Sequence, residues 1–291
     1  MRNMISSTTP LIALFSLLTA SHTTALIPAT PGEQTRRAIL SMRETISSIR
    51  SSGSSTPPRI YIDYLLPLPR ETSDADIDPW PGGLAQMYPY AEATLKEILA
   101  GIVIDDESSP GTKPKDASSQ IISASDCCGL FIQESPASPS CDVAALLFPG
   151  PDQLSNIQQI EEMVKDRTLI LFNKQFTRAA DFGFFAKDRA QKLIFDRYEW
   201  GFAFQEIACR GEDVKLTFEQ SVGWQACVLI DDGDGNYNKE IDIMDATWDR
   251  KVRPNYLEME KKINEVLPEP LWMRKMGDVQ EKGFKFQRKV Q

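Results

Sequence analysis

Five consecutive residues, Thr168-Leu-Ile-Leu-Phe172, are apolar or β-branched without alternation, and the polar run Asn173-Lys174-Gln175 follows at once. A short unbroken run of this kind suits a strand covered on both faces, the usual state of a parallel strand inside an α/β sheet. No other stretch constrains the chain as much, because a two-faced strand requires layers above and below it. Ligands of open α/β sheets gather beyond the carboxyl ends of such strands. Asn173, Lys174 and Gln175 are therefore the best-placed candidate ligand contacts, with a plain cap and turn as the competing reading.

The remaining text fits around such a sheet. Arg59-Ile-Tyr-Ile-Asp-Tyr-Leu-Leu-Pro67 predicts a first strand, ended by Pro67 and Pro69. Leu84, Met87, Ala91, Leu95, Ile98 and Leu99 form a helical stripe that Pro89 is expected to kink or divide. Gly129–Gln133 and Val143–Phe148 predict two more strands. The link between them is short for a helical crossover and suits a bare loop or an antiparallel turn. A helix is expected after Pro149-Gly-Pro-Asp152, with Asp152 as its cap and Leu154, Ile157, Ile160 and Val164 on one face. Thr177 to Arg197 is expected to be helical in part. From Phe202 the period changes to two, and Phe202–Ile207, Val214–Glu219 and Trp224–Ile230 predict an antiparallel meander. Pro254 opens a closing helix. The expected fold is a single α/β domain over residues 59–275: a mainly parallel sheet with helices on both faces, Rossmann-like in three layers, extended by the meander. A flexible insertion is expected at 105–125 and a basic tail at 276–291.

The first 58 residues read differently. Leu11–Leu18 is an apolar run too short to span a bilayer, and Thr23-Thr24-Ala25 permits signal-peptidase cleavage, so residues 1–25 read as a signal peptide. Residues 26–58 carry Arg36, Arg37, Arg43 and Arg50, many Ser and Thr, and only Glu33 and Glu44 as acids. That composition marks a transit peptide or disordered linker. The pair resembles the two-part leader of algae with secondary plastids and implies a plastid stromal location. Secretion is the alternative, disfavoured because the cysteines offer no disulfide framework. No integral membrane segment is expected in the mature chain.

Composition excludes more than it selects. The formal charge is −9, and residues 59–291 hold 27 basic against 39 acidic side chains, so nucleic acid is a poor partner. The single histidine, His22, lies in the leader, which removes His triads and His metal ligands from the mature chain. Five cysteines (Cys127, Cys128, Cys141, Cys209, Cys227) are odd in number and lack zinc spacing; Cys209 and Cys227 sit in strand-like text as small buried residues. A redox role for Cys127, Cys128 or Cys141 finds no neighbouring CxxC or His. The turn Asp231–Glu240 places Tyr237 and Ile243 where a calcium loop needs Gly and Glu, and Gly233-x-Gly235 lacks the third glycine of a dinucleotide turn. Gly82-Gly83, at a helix start, could offer amides to an anion, against the simpler reading of a flexible lead-in to the helix. No catalytic residue, cofactor or metal ligand is assigned.

The ordered series Arg59–Pro69, Asp78-Pro-Trp-Pro-Gly-Gly83 with Gln86, Leu169–Asn173, Phe202-x-Phe-Gln205, Trp224 and Arg253-Pro254 resembles a plastid and cyanobacterial domain-of-unknown-function family. That family contains the low photosystem II accumulation proteins and also occurs fused to a chloroplast adenylate kinase. The resemblance spans roughly residues 59–270. Where the family usually shows Asn-Pro-Gln-Trp, this chain has Asn173-Lys174-Gln175-Phe176. The resemblance supplies no catalytic residues and implies protein partners. Adenylate kinase activity belongs to the fused partner, whose phosphate loop is missing here.

The functional expectation is thus a soluble plastid auxiliary protein acting through protein contacts, in photosystem or thylakoid biogenesis, with assembly intermediates as partners. It leans against an enzyme. The rival is a nucleotide-binding or phosphorylated-ligand protein or enzyme using Asn173, Lys174, Gln175, Gly82 and Gly83.

Overall fold

The computed structural model describes residues 26–53, 56–68, 80–103, 115–230, 239–271 and 273–274. The signal peptide, the first part of the insertion, the turn Asp231–Asn238 and the basic tail lie outside the described residues. Helix α1 (Pro31–Ser51) precedes β1 (Arg59–Asp63), α2 (Gly83–Val103), β2 (Ser118–Ser123), β3 (Cys128–Gln133) and β4 (Val143–Leu147). Then come α3 (Leu154–Val164), β5 (Thr168–Phe172), the single-turn α4 (Lys187–Ala190), β6 (Glu199–Cys209), β7 (Glu212–Glu219), β8 (Gly223–Ile230), β9 (Lys239–Asp242) and α5 (Tyr256–Val266). Among the described residues, no helix is long and apolar enough to cross a membrane.

Among the described residues nine strands form one sheet in the order β2-β3-β4-β5-β1-β6-β7-β8-β9. The α/β class holds. Parallel pairing is confined to the centre, where β4–β5, β5–β1 and β1–β6 run parallel and every outer pair is antiparallel. The short link after β3 makes an antiparallel pair with β4, since it is too brief for a crossover. All five residues of β5 are buried, as its apolar run predicts.

Alternation along the strands assigns the two faces. Ile60, Ile62, Ile170, Phe172, Phe202 and Phe204 meet α1 and α2 on one side. Tyr61, Leu169 and Leu171 meet α3 and the segment after β5 on the other. The meander and α5 close a third cluster around Trp224 and Ile263.

The largest departure from expectation is α1. Residues 26–58 were read as a transit peptide or disordered linker, yet Pro31–Ser51 is a regular helix with Ala38, Met42 and Ile46 in the core. Thr30 caps it by accepting from the Glu33 amide, and Pro31 stands in its first turn. Its inner face is small and hydroxylated, so Ser41 and Thr45 are buried and bonded: Ser41 Oγ donates to Gly201 O and accepts from the Gln220 amide at 2.8 Å. Contact is close enough that a Cβ on Gly201 would meet Met42 Sδ at 2.3 Å, and one on Gly101 would meet Ile39 Cδ1 at 2.4 Å. Arg37 adds an ion pair to Glu219 at the end of β7. The arginine content that suggested a leader thus serves docking of the helix.

Smaller differences have local causes. Pro89 lies inside α2 without dividing it. Helix α3 starts at Leu154 after a 3-10 turn, Pro151–Gln153, and no side chain, Asp152 included, caps it. The insertion read as flexible at 105–125 ends in β2, which pairs with β3. Helix α5 is capped by Asn255 in a reciprocal box with Glu258.

At the amino end of the central strand, Arg59 is only 2% exposed. Its Nε donates to Glu161 at 2.8 Å; Nη1 donates to the carbonyls of Pro58 (3.0 Å) and Arg167 (2.7 Å); Nη2 donates to Lys165 O at 2.8 Å. One guanidinium therefore ties β1 to the end of α3 and the start of β5. Glu161 also accepts from Tyr198 Oη at 2.7 Å and pairs with Arg197 at 3.0 Å. Burial and the Glu161 carboxylate hold the Tyr198 phenol well above the usual tyrosine range.

Two outcomes follow. Arg59→Met removes a buried partner of Glu161 and the side-chain donor to the carbonyls of Lys165 and Arg167, while Pro58 O keeps the Leu169 amide; it should lose about 3–5 kcal/mol in urea unfolding, whereas Arg197→Met, a third exposed, should lose under about 1 kcal/mol. A chain starting at residue 55 should fail to give a cooperative unfolding transition, because the face that α1 covers is stripped; a cooperative transition would show that α1 is dispensable.

Candidate functional site

Helix α2 leaves β1 on one face of the sheet, while the chain leaving β5 packs its Phe176 and Phe182 on the other. Connections therefore diverge between the carboxyl ends of β1 and β5, the place where an open α/β sheet forms its crevice. Here that crevice is sewn shut. Asn173 takes φ +49, its amide donates to Ile62 O at 2.7 Å, its Oδ1 accepts from the Tyr64 amide at 2.6 Å, and its Nδ2 donates to Tyr64 O at 2.9 Å. Asparagine tolerates the left-handed region better than most residues, and three bonds hold it there.

Lys174 turns to the face opposite α2. Its side chain is 7% exposed, 3.3 Å from Asp63 Oδ2, with Nζ 4.5 Å from the Trp200 ring centroid and 5.0 Å from that of Tyr61. Gln205 Nε2 donates to the same Asp63 oxygen, and Arg253 donates through Nε (3.1 Å) and Nη2 (3.0 Å) to Gln205 Oε1. The Arg253 guanidinium lies 5.9 Å from the Trp224 ring, which stacks edge-on against Trp200. The result is an ammonium in an aromatic cage with one carboxylate, an arrangement that recognises alkylammonium groups. Desolvation lowers the Lys174 pKa below the usual lysine range, opposed by Asp63; desolvation likewise lowers that of Arg253. Burial, with Asp63 adding to it, raises the Tyr61 phenol. Three buried polar atoms, Asp63 Oδ1, Tyr61 Oη and Trp224 Nε1, have no hydrogen-bond partner.

The sequence-derived candidates separate. Asn173 is structural, Lys174 is caged, and Gln175 is exposed, its Nε2 donating to Asn173 O at 2.6 Å. Gly82 and Gly83 begin α2 on the other face of the sheet. Their amides are engaged, Gly82 with Gln86 Oε1 at 2.9 Å and Gly83 with Trp80 O at 2.8 Å, so they form no common site with Lys174. Sequence reasoning missed Asp63, Gln205, Trp224 and Arg253 as site residues. The signal was present, because four separate segments that carry the resemblance each contribute one of them, and a fifth supplies Asn173.

The chain matches the domain-of-unknown-function family DUF1995 over residues 28–260. It belongs to that family. The DUF1995 match takes in α1, every strand, and all the residues of the Lys174 cluster. No curated protein matches the chain.

The caged pair carries two expected outcomes. Lys174→Met strands the Asp63 carboxylate and should lose about 3 kcal/mol in urea unfolding, while Asp63→Asn combined with Lys174→Met should recover about 1–3 kcal/mol of it. The folded chain releases the Lys174 proton at lower pH than the unfolded chain, whose lysines keep the ordinary value of 10.5. Below that value the unfolded state binds the extra proton, so the contribution of this group to stability rises with pH across the window between the lowered pKa and 10.5. Urea midpoints of the native chain and Lys174→Met should therefore diverge as pH climbs through that window; parallel curves would contradict the assignment.

Proposed function

We propose that this DUF1995 protein is a plastid stromal auxiliary factor that works through contacts with other proteins, in the biogenesis of photosystems or thylakoids. The resemblance to the low photosystem II accumulation proteins supports the compartment and process, and the signal-peptide pattern of residues 1–25 is the leader feature left beside it, since Pro31–Ser51 is α1 of the domain. The observation that carries the mode of action is an aromatic tip, where Phe184 is 77% and Phe185 97% exposed at adjacent positions.

The tip is held rigidly. Beneath it Phe176, Phe182 and Phe195 pack as a triad, with ring centroids 4.7 Å apart for Phe176–Phe182 and 5.9 Å for Phe176–Phe195. The 3-10 turn Ala179–Phe182 is pinned by Asp181, whose carboxylate accepts from the amides of Thr177 (2.8 Å) and Arg178 (3.1 Å). Those amide bonds hold Asp181 at a pKa of about 2, so the pin stays charged at physiological pH. Gly183, at φ +80, makes the bend that projects the two rings. A pre-organised aromatic pair loses little entropy on docking and suits an apolar recess on a partner. Lys187 Nζ lies 5.1 Å from the Phe184 ring, so an acidic group at the rim of that recess would find a cation beside the tip.

The rim of the sheet supports the same reading. The lysine that could have held a phosphate is neutralised by Asp63 and enclosed by rings, and the helix-start amides of Gly82 and Gly83 already have partners. In pull-downs from isolated plastids, the native chain should recover assembly intermediates. Phe184→Ser with Phe185→Ser should lower recovery by about tenfold or more with the thermal midpoint unchanged, and equal recovery by both proteins would remove the tip from the interface.

A further inference from the structure

A cleft of about 520 Å³ runs between α3 and the segment that follows the aromatic tip, where α4 continues into a single π-helical turn, Gln191–Phe195. Two contacts set the direction of its walls. Arg189 Nη2 donates to Ser155 Oγ near the start of α3 at 3.3 Å, and Arg197 pairs with Glu161 near its end at 3.0 Å. The segment therefore runs alongside α3 in the same sense, with Lys192 between those contacts. At about 1.5 Å of rise per residue, the stretch from Ser155 to Lys165 makes the cleft roughly 15 Å long. Its charge is uneven. Arg189 and Lys192 on one wall and Lys165 on the other are exposed, and among the described residues none of the three pairs with a carboxylate. Two acids share the lining: Glu161 is consumed by Arg59, Tyr198 and Arg197, and Glu162 accepts from Gln158 Nε2 at 3.3 Å. Asp196 and Glu199 lie past Arg197 on the adjoining cavity. Gathering three unpaired cations around one cleft costs repulsion that an anion would relieve. The π turn is a second sign, because such turns are rare and recur at functional sites.

We propose that this cleft docks an extended acidic segment of a partner protein. The proposal rests on the reading of the chain as a factor that works through protein contacts, and it gives the partner a second chemical requirement beside an apolar recess. An extended chain turns alternate side chains to the same side about every 6.6 Å, so acidic residues at alternate positions meet Arg189, Lys192 and Lys165 in turn. Leu193 and the aliphatic stems of the basic side chains receive the methylenes of such a segment. A compact phosphate is too short to reach all three cations at once, and nucleic acid is repelled by a chain of charge −9. Tip and cleft wall belong to one continuous stretch of chain, so a single partner can engage both.

The test titrates the full chain into a fluorescein-labelled octapeptide of alternating Glu and Ala and reads fluorescence anisotropy at low salt. That peptide should bind about tenfold or more tighter than its counterpart of alternating Gln and Ala. Lys165→Gln with Lys192→Gln should weaken binding by about tenfold, while the same change at two exposed lysines elsewhere, Lys251→Gln with Lys261→Gln, should alter it by less than about twofold. All four lysines are exposed, so each variant is expected to fold, and an unchanged thermal midpoint checks it. The titration needs no plastid partner, so it can fail while the tip variant still loses recovery in pull-downs, and the two failures are told apart. Equal binding of both peptides, equal loss in the two lysine pairs, or displacement of the peptide by equimolar tripolyphosphate would overturn the proposal.

Discussion

The central strand is only five residues long, and its position depends on a polar side chain at each end. At its start Arg59 is buried and satisfied by a carboxylate and three carbonyls. Just past its end, Asn173 reaches across from β5 to bond both backbone groups of Tyr64. A parallel strand this short gains few ladder bonds of its own, so register could slip by a residue and turn every side chain to the wrong face. Arg59 prevents that slip by fitting only one spacing between β1 and the end of α3. A point-charge lysine could not satisfy these partners, since planar guanidinium geometry is what lets one group serve a carboxylate and several carbonyls.

Fixing β1 also decides where chemistry can occur. With Ile60 and Ile62 committed to the α1–α2 face, Tyr61 and Asp63 must point to the other, where β6 supplies Trp200 and Gln205. The register shift between Tyr61 and Ile62 against β6 lets Trp200 lie beside Tyr61, with ring centroids 5.3 Å apart. The Lys174 cage is a consequence of that bulge. Its parts come from β1, the turn after β5, β6, β8 and the loop before α5, so it exists only in the assembled sheet.

This explains what could be read from the sequence. The Thr168–Phe172 strand and the period-two meander were legible because burial pattern is local. Helix α1 was not, because Gln34, Thr35, Ser41 and Thr45 interrupt the apolar part of its buried face, and Ser41 is satisfied only by distant bonds to β6 and the β7–β8 turn. Arg- and Ser-rich text reads as a leader by composition, yet the Thr30 cap, Pro31 and Glu33 already marked a helix start. The match of the DUF1995 family from residue 28 agrees with counting α1 in the domain. At the rim, position alone singled out Lys174, but its partner Asp63 lies 111 residues away in sequence, and Gln205 and Arg253 reach the pair through distant segments. No local spacing encodes such a set.

The character of the cage follows from which group fills it. Two rings and a carboxylate make a poor site for a phosphate, whose charge Asp63 would repel, and a good one for an ammonium. Lys174 is that ammonium, supplied by the chain itself, and it reaches the site from the residue next to the Asn173 bridge. The covalent tether gives it a high effective concentration against any free amine, so the site is occupied from within. What was read from sequence as a ligand-binding lysine therefore acts as the ligand of its own fold. On the proposed reading, outward recognition is left to groups that the fold does not consume, and Phe185 is the most exposed large apolar side chain among the described residues.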